Sequence, residues 1–131
     1  MNRIVVIADD ITGAAEIAGI AHRYGLRTIL SLSSSPLGGN EGGFDADVIV
    51  IATDARSYGP EEAARMMKEA MSSIPLEGGT WGVFHKVDSA LRGNVKEELD
   101  AILSAPSLSG RAGVGFEALV GSFYTVAISA S

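Results

Sequence analysis

The 131-residue chain contains no cysteine, which excludes disulfide bonds, thiolate nucleophiles and cysteine-based zinc sites. It has two histidines and no metal-binding motif, so we predict no metal site. Basic residues are also few: 10 lysines and arginines against 16 acidic residues give a net charge of −6, opposite to the charge that binds nucleic acid. No apolar run approaches the ~20 residues that a membrane helix needs. We therefore expect a cytoplasmic protein with neither nucleic acid nor a membrane as its partner.

Sequence motifs for nucleotide binding are missing as well. No lysine follows a glycine, which excludes a Walker A phosphate loop, and neither HExxH nor GxSxG occurs. Residues 113–118 have the form GxGxxA, but serine, proline and glycine precede them where a dinucleotide site needs a strand. The chain itself is therefore expected to hold no tightly bound nucleotide.

Short apolar runs that alternate with helix-like segments are typical of a parallel sheet built from strand–helix units. The predicted strands are Ile4–Ala8, Thr28–Leu32, Val48–Ala52 and Gly82–Val87. End signals predict three helices: Thr12–Tyr24, capped by Thr12 and stopped by Gly25; a helix from Pro60 through Met71; and Asn94–Leu103, with Asn94 and Glu97 as a capping box. The sequence thus predicts an α/β fold, a three-layer structure with an open, mainly parallel sheet and helices on both faces.

The composition changes after residue 103. Residues 104–131 contain only Arg111 and Glu117 as charged groups and are rich in glycine, serine and alanine. We predict an α/β domain over residues 1–103, followed by an atypical C-terminal segment that forms an added strand or is the remainder of a truncated domain. Because so apolar a segment is hard to cover in a small domain, we also expect a symmetric homodimer with residues 115–128 at its contact. The alternative is that this segment folds back as an extra strand of its own sheet and leaves a monomer.

Carboxylates follow three of the predicted strands: Asp9 and Asp10 the first, Asp54 the strand at Val48–Ala52, and Asp88 the strand at Gly82–Val87. In an open α/β sheet ligands bind beyond the carboxyl ends of the strands, where these acids would converge. An aspartate after a strand is also an ordinary turn or helix cap, and that alternative applies to each one singly.

Hydroxyl and basic side chains accompany these acids. The further candidate site residues are Thr12, Arg56, Lys86, Ser89 and Arg92. An arginine can pair with a carboxylate through two parallel hydrogen bonds, and aspartates accept hydrogen bonds from hydroxyl groups. The combination favours a pocket for a small polyhydroxylated anion.

Three segments of the chain resemble the sequence signatures of the four-carbon acid sugar kinases. Residues 8–14 (ADDITGA) resemble the amino-terminal signature, residues 86–94 (KVDSALRGN) a longer one, and residues 53–57 (TDARS) a third. Their order and spacing agree with the family over residues 4–103. The chain departs from the pattern at Ala90, where the family usually has threonine.

The resemblance implies an ATP-dependent kinase of threonate, erythronate or a related sugar acid, in which an amino-terminal domain holds the sugar acid and a carboxyl-terminal domain holds ATP and Mg²⁺. It implies that Arg56 and Lys86 bind the substrate carboxylate and that Asp9, Asp10 and Asp88 bind its hydroxyls. It assigns no catalytic residue. Since the family continues well beyond 131 residues, we expect a chain without the ATP domain, and whether it is an enzyme alone stays open.

Two other functions remain as alternatives. A phosphoacceptor receiver domain also has paired acids after its first strand, an aspartate near position 54 and a later lysine, although Lys86 and Asp88 share one strand here and Asp54 is followed by Ala-Arg-Ser. The other alternative is a non-catalytic ligand-binding remnant.

Overall fold

The computed structural model describes residues 2–32, 45–74, 80–88, 90–104, 116–120 and 125–130, with side chains within 3–32, 45–74, 82–88 and 90–104. Its elements, in chain order, are β1 (Asn2–Ala8), α1 (Ile11–Arg23), β2 (Thr28–Leu32), β3 (Val48–Ala52), a 3-10 helix (Ala55–Ser57), α2 (Pro60–Ser72), β4 (Thr80–Lys86), α3 (Val95–Leu103), β5 (Phe116–Val120) and β6 (Thr125–Ala130). The four strands and three helices predicted for residues 1–103 are all present, which confirms the α/β fold class.

The strands form one sheet in the order β2-β3-β1-β4-β6-β5. The first four are mutually parallel, whereas β6 runs antiparallel to β4 and β5 antiparallel to β6. Ala8 of β1 is level with Ala52 of β3 and with Lys86 of β4. This register brings the segments that follow the three central strands to one edge of the sheet.

Helices cover both faces of the sheet. Alternate residues of a strand point to opposite faces, and since successive residues of the central strands are apolar, both faces need to be buried. On one face Ile7 and Ile49 pack in a cluster with Met67 of α2 and Ile102 of α3. On the other face Val6 and Val50 pack in a second cluster with Ala14 and Ala21 of α1. The three-layer arrangement is therefore confirmed.

The helix ends differ in two places from the sequence prediction. Asp10, not Thr12, caps α1: its Oδ1 accepts a hydrogen bond from the backbone N–H of Gly13 at 3.2 Å. Asn94 begins α3 without a side-chain cap bond and instead donates from Nδ2 to the carbonyl of Tyr58 at 2.8 Å. The predicted cap at Thr12 was wrong, because the carboxylate of Asp10 accepts the bond from the first turn of α1. Asn94 is the N-cap residue of α3 as predicted, but the side-chain bond of a capping box is absent.

The segment after residue 103 adds β5 and β6 to the side of the sheet where β4 lies. Phe84 of β4 is paired with Ala127 of β6, and β5 forms the outer edge. The proposed division between residues 103 and 104 stays a prediction. In the part of the chain that the structure describes, none of the helices has the length and apolarity to cross a membrane.

We predict that Met67→Ala lowers the free energy of unfolding by about 2–5 kcal/mol, because it leaves a cavity where α2 meets the sheet. Met67 is completely buried. Its neighbour Met66 is only partly buried and is the matched control. Met66→Ala should lower the free energy of unfolding much less. Urea denaturation of the two variants measures the difference, and equal losses would contradict the packing described here.

Candidate functional site

Two aspartates lie buried where central strands end. Asp9 follows β1 and is fully buried, and Asp88, two residues after β4, is 8 % exposed. Asp10 follows Asp9 and is held at the start of α1 by its cap bond to Gly13. An alanine at position 13 would place its Cβ 2.7 Å from Asp10 Oδ1, so the close approach of this carboxylate requires glycine.

Arg56 joins the three carboxylates. Its Nη2 lies 3.2 Å from Asp9 Oδ1 and 3.1 Å from Asp10 Oδ1, and its Nη1 lies 3.6 Å from Asp88 Oδ1. The backbone N–H of Arg56 also donates to the carbonyl of Asp9 at 3.1 Å. One guanidinium therefore links the ends of β1 and β4 from a turn that follows β3.

The turn after β3 is held in place by hydrogen bonds from Thr53. Its Oγ1 donates to the carbonyl of Ala8 at 2.9 Å and accepts from the backbone N–H of Ala55 at 3.3 Å. Asp54 has φ +57°, a left-handed conformation uncommon outside glycine, and its Oδ1 accepts a hydrogen bond from Ser57 Oγ at 2.9 Å. The reversal at Asp54 turns the chain so that Arg56 reaches the acids.

A glycine supports Arg56 from the opposite side. Gly93 has φ +95°, and a Cβ there would lie 3.0 Å from Arg56 Cγ. Glycine is therefore required at this position for both its backbone conformation and its contact.

Asp88 is bound by its own loop as well. Its Oδ2 accepts from the backbone N–H of Ala90 at 2.9 Å and from Arg92 Nε at 2.9 Å, while Arg92 Nη2 lies 2.8 Å from Oδ1. The arginine and the backbone donors hold the pKa of Asp88 well below its usual range. The loop therefore fixes Asp88 as an anion.

Lys86 approaches the same edge from the side of α1. It is half-buried, and its Cγ lies 3.5 Å from the position that a Gly13 Cβ would take. Its Nζ donates to the carbonyl of Val87 at 3.1 Å, and none of the described carboxylates pairs with it. Its charge is therefore available to an anion.

Burial and ion pairing have opposite effects on Asp9. Burial raises its pKa above the ordinary value, and the hydrogen bonds and positive charge of Arg56 oppose that rise. The acid in turn raises the pKa of Arg56. The Asp9 carboxylate thus depends on Arg56 as its counter-ion.

The predicted site residues fall into three groups. The structure brings Asp9, Asp10, Arg56, Asp88 and Arg92 together and sets Lys86 beside them. Asp54 and Thr12 are exposed, and Asp54 binds Ser57 instead of the cluster. Ser89 lies outside the described residues.

The buried pair His85 and Glu98 was not identified from the sequence as part of this region. Alternation along β4 places His85 with the buried Val83 and Val87, and Glu98 lies on the buried face of α3 with Ala101 and Ile102. A glutamate at an apolar helix position was the signal that could have revealed it.

Known proteins match most of this chain. Residues 4–125 match the family described as "Sugar-binding N-terminal domain". The chain is 43 % identical over 106 residues to a D-erythronate kinase of Heliobacterium modesticaldum, covering 79 % of the chain and 23 % of the relative. It is 34 % identical over 105 residues to a D-threonate kinase of Cupriavidus necator, covering 80 % and 24 %. The chain thus spans about a quarter of the length of these curated relatives.

A solved structure agrees with the fold. It is a domain of unknown function from Bordetella bronchiseptica, crystallised with bound citrate as a domain-swapped dimer. The TM-score is 0.63 at 29 % identity, over 76 % of this chain and 25 % of that one.

We predict that Arg56→Gln lowers the free energy of unfolding at neutral pH by about 2–3 kcal/mol, below the usual cost of breaking a buried pair because a quarter of Arg56 is exposed. The deficit should shrink on acidification. In the variant, the buried Asp9 carboxylate has lost its counter-ion, and its negative charge destabilises the folded state. Protonation at low pH removes that charge, so the loss of stability becomes smaller as the pH falls through the raised pKa of Asp9.

The matched control is Arg92→Gln. Arg92 also pairs with Asp88, but its side chain is 71 % exposed, so a much smaller loss is expected. Urea denaturation of both variants across the acidic range measures the effect. A pH-independent deficit in Arg56→Gln would contradict the dependence of Asp9 on this arginine.

Proposed function

Because the chain belongs to the family of sugar-binding N-terminal domains, we propose that it binds a four-carbon sugar acid such as threonate or erythronate at the carboxyl edge of its sheet. In this proposal the chain is the substrate-binding part of a cytoplasmic ATP-dependent sugar acid kinase. The observation that carries it is the cluster around Arg56, with an uncommitted lysine beside it.

The ligand carboxylate pairs first with Lys86 in this proposal. Arg56 and Arg92 are each held by aspartates, whereas the Lys86 ammonium donates to a single carbonyl among the described residues. An ammonium that gains a carboxylate partner forms a charge-assisted hydrogen bond, roughly twice as strong as a neutral one. Arg56, whose side chain is 26 % exposed, offers the second contact.

The ligand hydroxyls donate hydrogen bonds to Asp10 in this proposal. Asp10 is the most accessible of the three, with its side chain 25 % exposed, and an ionised carboxylate accepts several hydrogen bonds. Asp9 is fully buried and acts on the ligand through Arg56. The exposed side chain of Arg92 closes the side of the pocket nearest to Asp88.

In this proposal ATP and Mg²⁺ bind outside the described residues. No group of three or more metal-binding side chains is found in the described part of the chain, and the carboxylates of the cluster are already paired with arginines. In the proposed kinase the nucleotide and its metal are bound by residues beyond this chain. Since phosphoryl transfer depends on positioning both, this chain binds substrate without turning it over.

The receiver-domain alternative has no support in the geometry. A phosphoacceptor would have Asp54 beside the paired acids and the lysine, but Asp54 is exposed and bound to Ser57 in a left-handed turn. We retain the sugar-acid proposal alone.

We predict that Lys86→Met weakens the binding of threonate or erythronate by about 1.5–3 kcal/mol, the scale of a charge-assisted hydrogen bond, or roughly 10- to 150-fold. Stability should change little because Lys86 forms no described ion pair. Titration calorimetry on the purified chain measures the affinity, and an assay for ADP release tests for turnover.

The control for charge is Lys68→Met, which removes an exposed lysine from α2 and should leave the affinity unchanged. Failure of the wild-type chain to bind either acid would refute the proposed function. Release of ADP by the purified chain would refute the placement of the ATP site.

We also infer that the chain forms a homodimer through β5 and β6. The backbone groups on the outer side of β5 are not paired with any other described strand, and the segment that contains β5 has two charged residues in 28. We predict a dimer by light scattering on the intact chain and a monomer for a truncation that ends at Leu103. A monomeric intact chain, or a dimer that survives truncation, would place the contact elsewhere.

A further inference from the structure

Two ionisable side chains lie buried together and have no hydrogen-bond partner among the residues that the structure describes. His85, in β4, and Glu98, in the first turns of α3, are both completely inaccessible to solvent. Glu98 Oε1 lies 4.0 Å from His85 Nε2, which is too far for a hydrogen bond. Both ring nitrogens and both carboxyl oxygens lack a hydrogen-bond partner among the described residues. A buried polar group without a partner is costly, and here four such atoms occur in one place.

The pair lies close to the Arg56 cluster. His85 is level with Ile7 of β1, two residues before Asp9. Glu98 is near enough to Asp9 and Arg56 for the charges of both to act on it, the first disfavouring its ionised form and the second favouring it. A change in the charge of Glu98 would therefore alter the electrostatic potential at Asp9 and Arg56.

Few charged groups face Glu98. They are His85 from β4, Asp9 from the end of β1, Arg56 from the 3-10 helix and Glu97 from its own helix. The helix α2 packs against α3 with apolar side chains such as Met67 and Met71, and its charged residues are not buried. No counter-ion within hydrogen-bond distance stabilises an ionised Glu98 in the described structure.

Burial therefore governs the charge state of the pair. It raises the pKa of Glu98 to about 8 and lowers the pKa of His85 to about 4. At neutral pH both side chains are uncharged.

We propose that Glu98 is a positioning residue of the sugar-acid site and that it must hold its proton for an anionic ligand to bind beside Arg56. This inference rests on the proposed function. Arg56 is already paired with Asp9, Asp10 and Asp88, and an ionised Glu98 would add a further negative charge that interacts with this arginine through space. It would compete for the guanidinium and repel the carboxylate of the ligand.

The coupling is reciprocal. A bound anion adds negative charge near Glu98 and thereby favours its protonated form. Binding near the pKa of Glu98 therefore takes up a proton from the buffer, and affinity falls as the pH rises through that value.

The test is calorimetric titration of threonate and erythronate into the full chain at pH 6, 7, 8 and 9, in two buffers that differ in ionisation enthalpy. For the wild type we expect nearly constant affinity at pH 6 and 7 and roughly tenfold weaker binding at pH 9. Proton uptake should reach at most about half a proton at pH 8 and rise towards one at pH 9. Glu98→Gln, which mimics the protonated acid, should bind with the same affinity at pH 6 and 9. Glu61→Gln, which makes the same change of charge at an exposed position of α2, should keep the wild-type profile.

The outcomes separate the two proposals. If neither threonate nor erythronate binds at pH 6, the proposed function is refuted. Binding whose pH profile is the same in Glu98→Gln as in the wild type overturns the role of Glu98 and leaves the proposed function standing.

A titration by carbon-13 NMR of the nine glutamate carboxyl groups tests Glu98 without any ligand. A resonance with a midpoint near pH 8 that disappears in Glu98→Gln supports the proposal. If no glutamate titrates above pH 6, the proposal is overturned, whatever the calorimetry shows.

Discussion

The buried carboxylate of Asp9 is the constraint on which the candidate site depends. A carboxylate that is fully buried is unstable without a counter-ion, and Arg56 supplies one at 3.2 Å. To reach it, the chain must reverse immediately after β3, which the left-handed Asp54 and the hydrogen bonds of Thr53 allow. The ion pair thus ties the end of β1 to the turn after β3, and the neighbouring acids gather around the same guanidinium.

The register of the sheet and the alternation of side chains along its strands determine on which face of the sheet each basic side chain lies. Because Ala8, Ala52 and Lys86 are level, the polar segments that follow them meet at one edge. Lys86 approaches that edge from the side of α1, beside Gly13, whereas the neighbouring His85 lies on the other face with Glu98. A ligand at this edge would therefore meet Lys86 on the side of α1, whereas the buried pair lies on the side of α2 and α3.

Periodicity in the sequence predicted the strands, the helices and the meeting of Asp9 with Asp88, because buried parallel strands have a distinct pattern and end at a common edge. It did not predict which group caps α1, since Asp10 and Thr12 are both residue types that cap helices and the choice depends on local backbone angles. Asp54 shows a second limit, because one residue with positive φ redirected a strand-end acid to Ser57. Glu98 shows a third limit. A glutamate is normally expected on the exposed face of a helix, and its burial follows only from the way α3 packs on the sheet.

The charge balance at the edge bears on what can bind there. The acids Asp9, Asp10 and Asp88 are matched in number by Arg56, Arg92 and Lys86, and salt bridges already occupy the two arginines. Only the lysine charge is uncommitted among these six groups. A ligand with one carboxylate and several hydroxyls can use that lysine and donate to Asp10, whereas a polyphosphate would bring more negative charge than the edge can neutralise. Burial keeps Glu98 uncharged, so this buried side chain adds no further anion to the charge balance around Arg56.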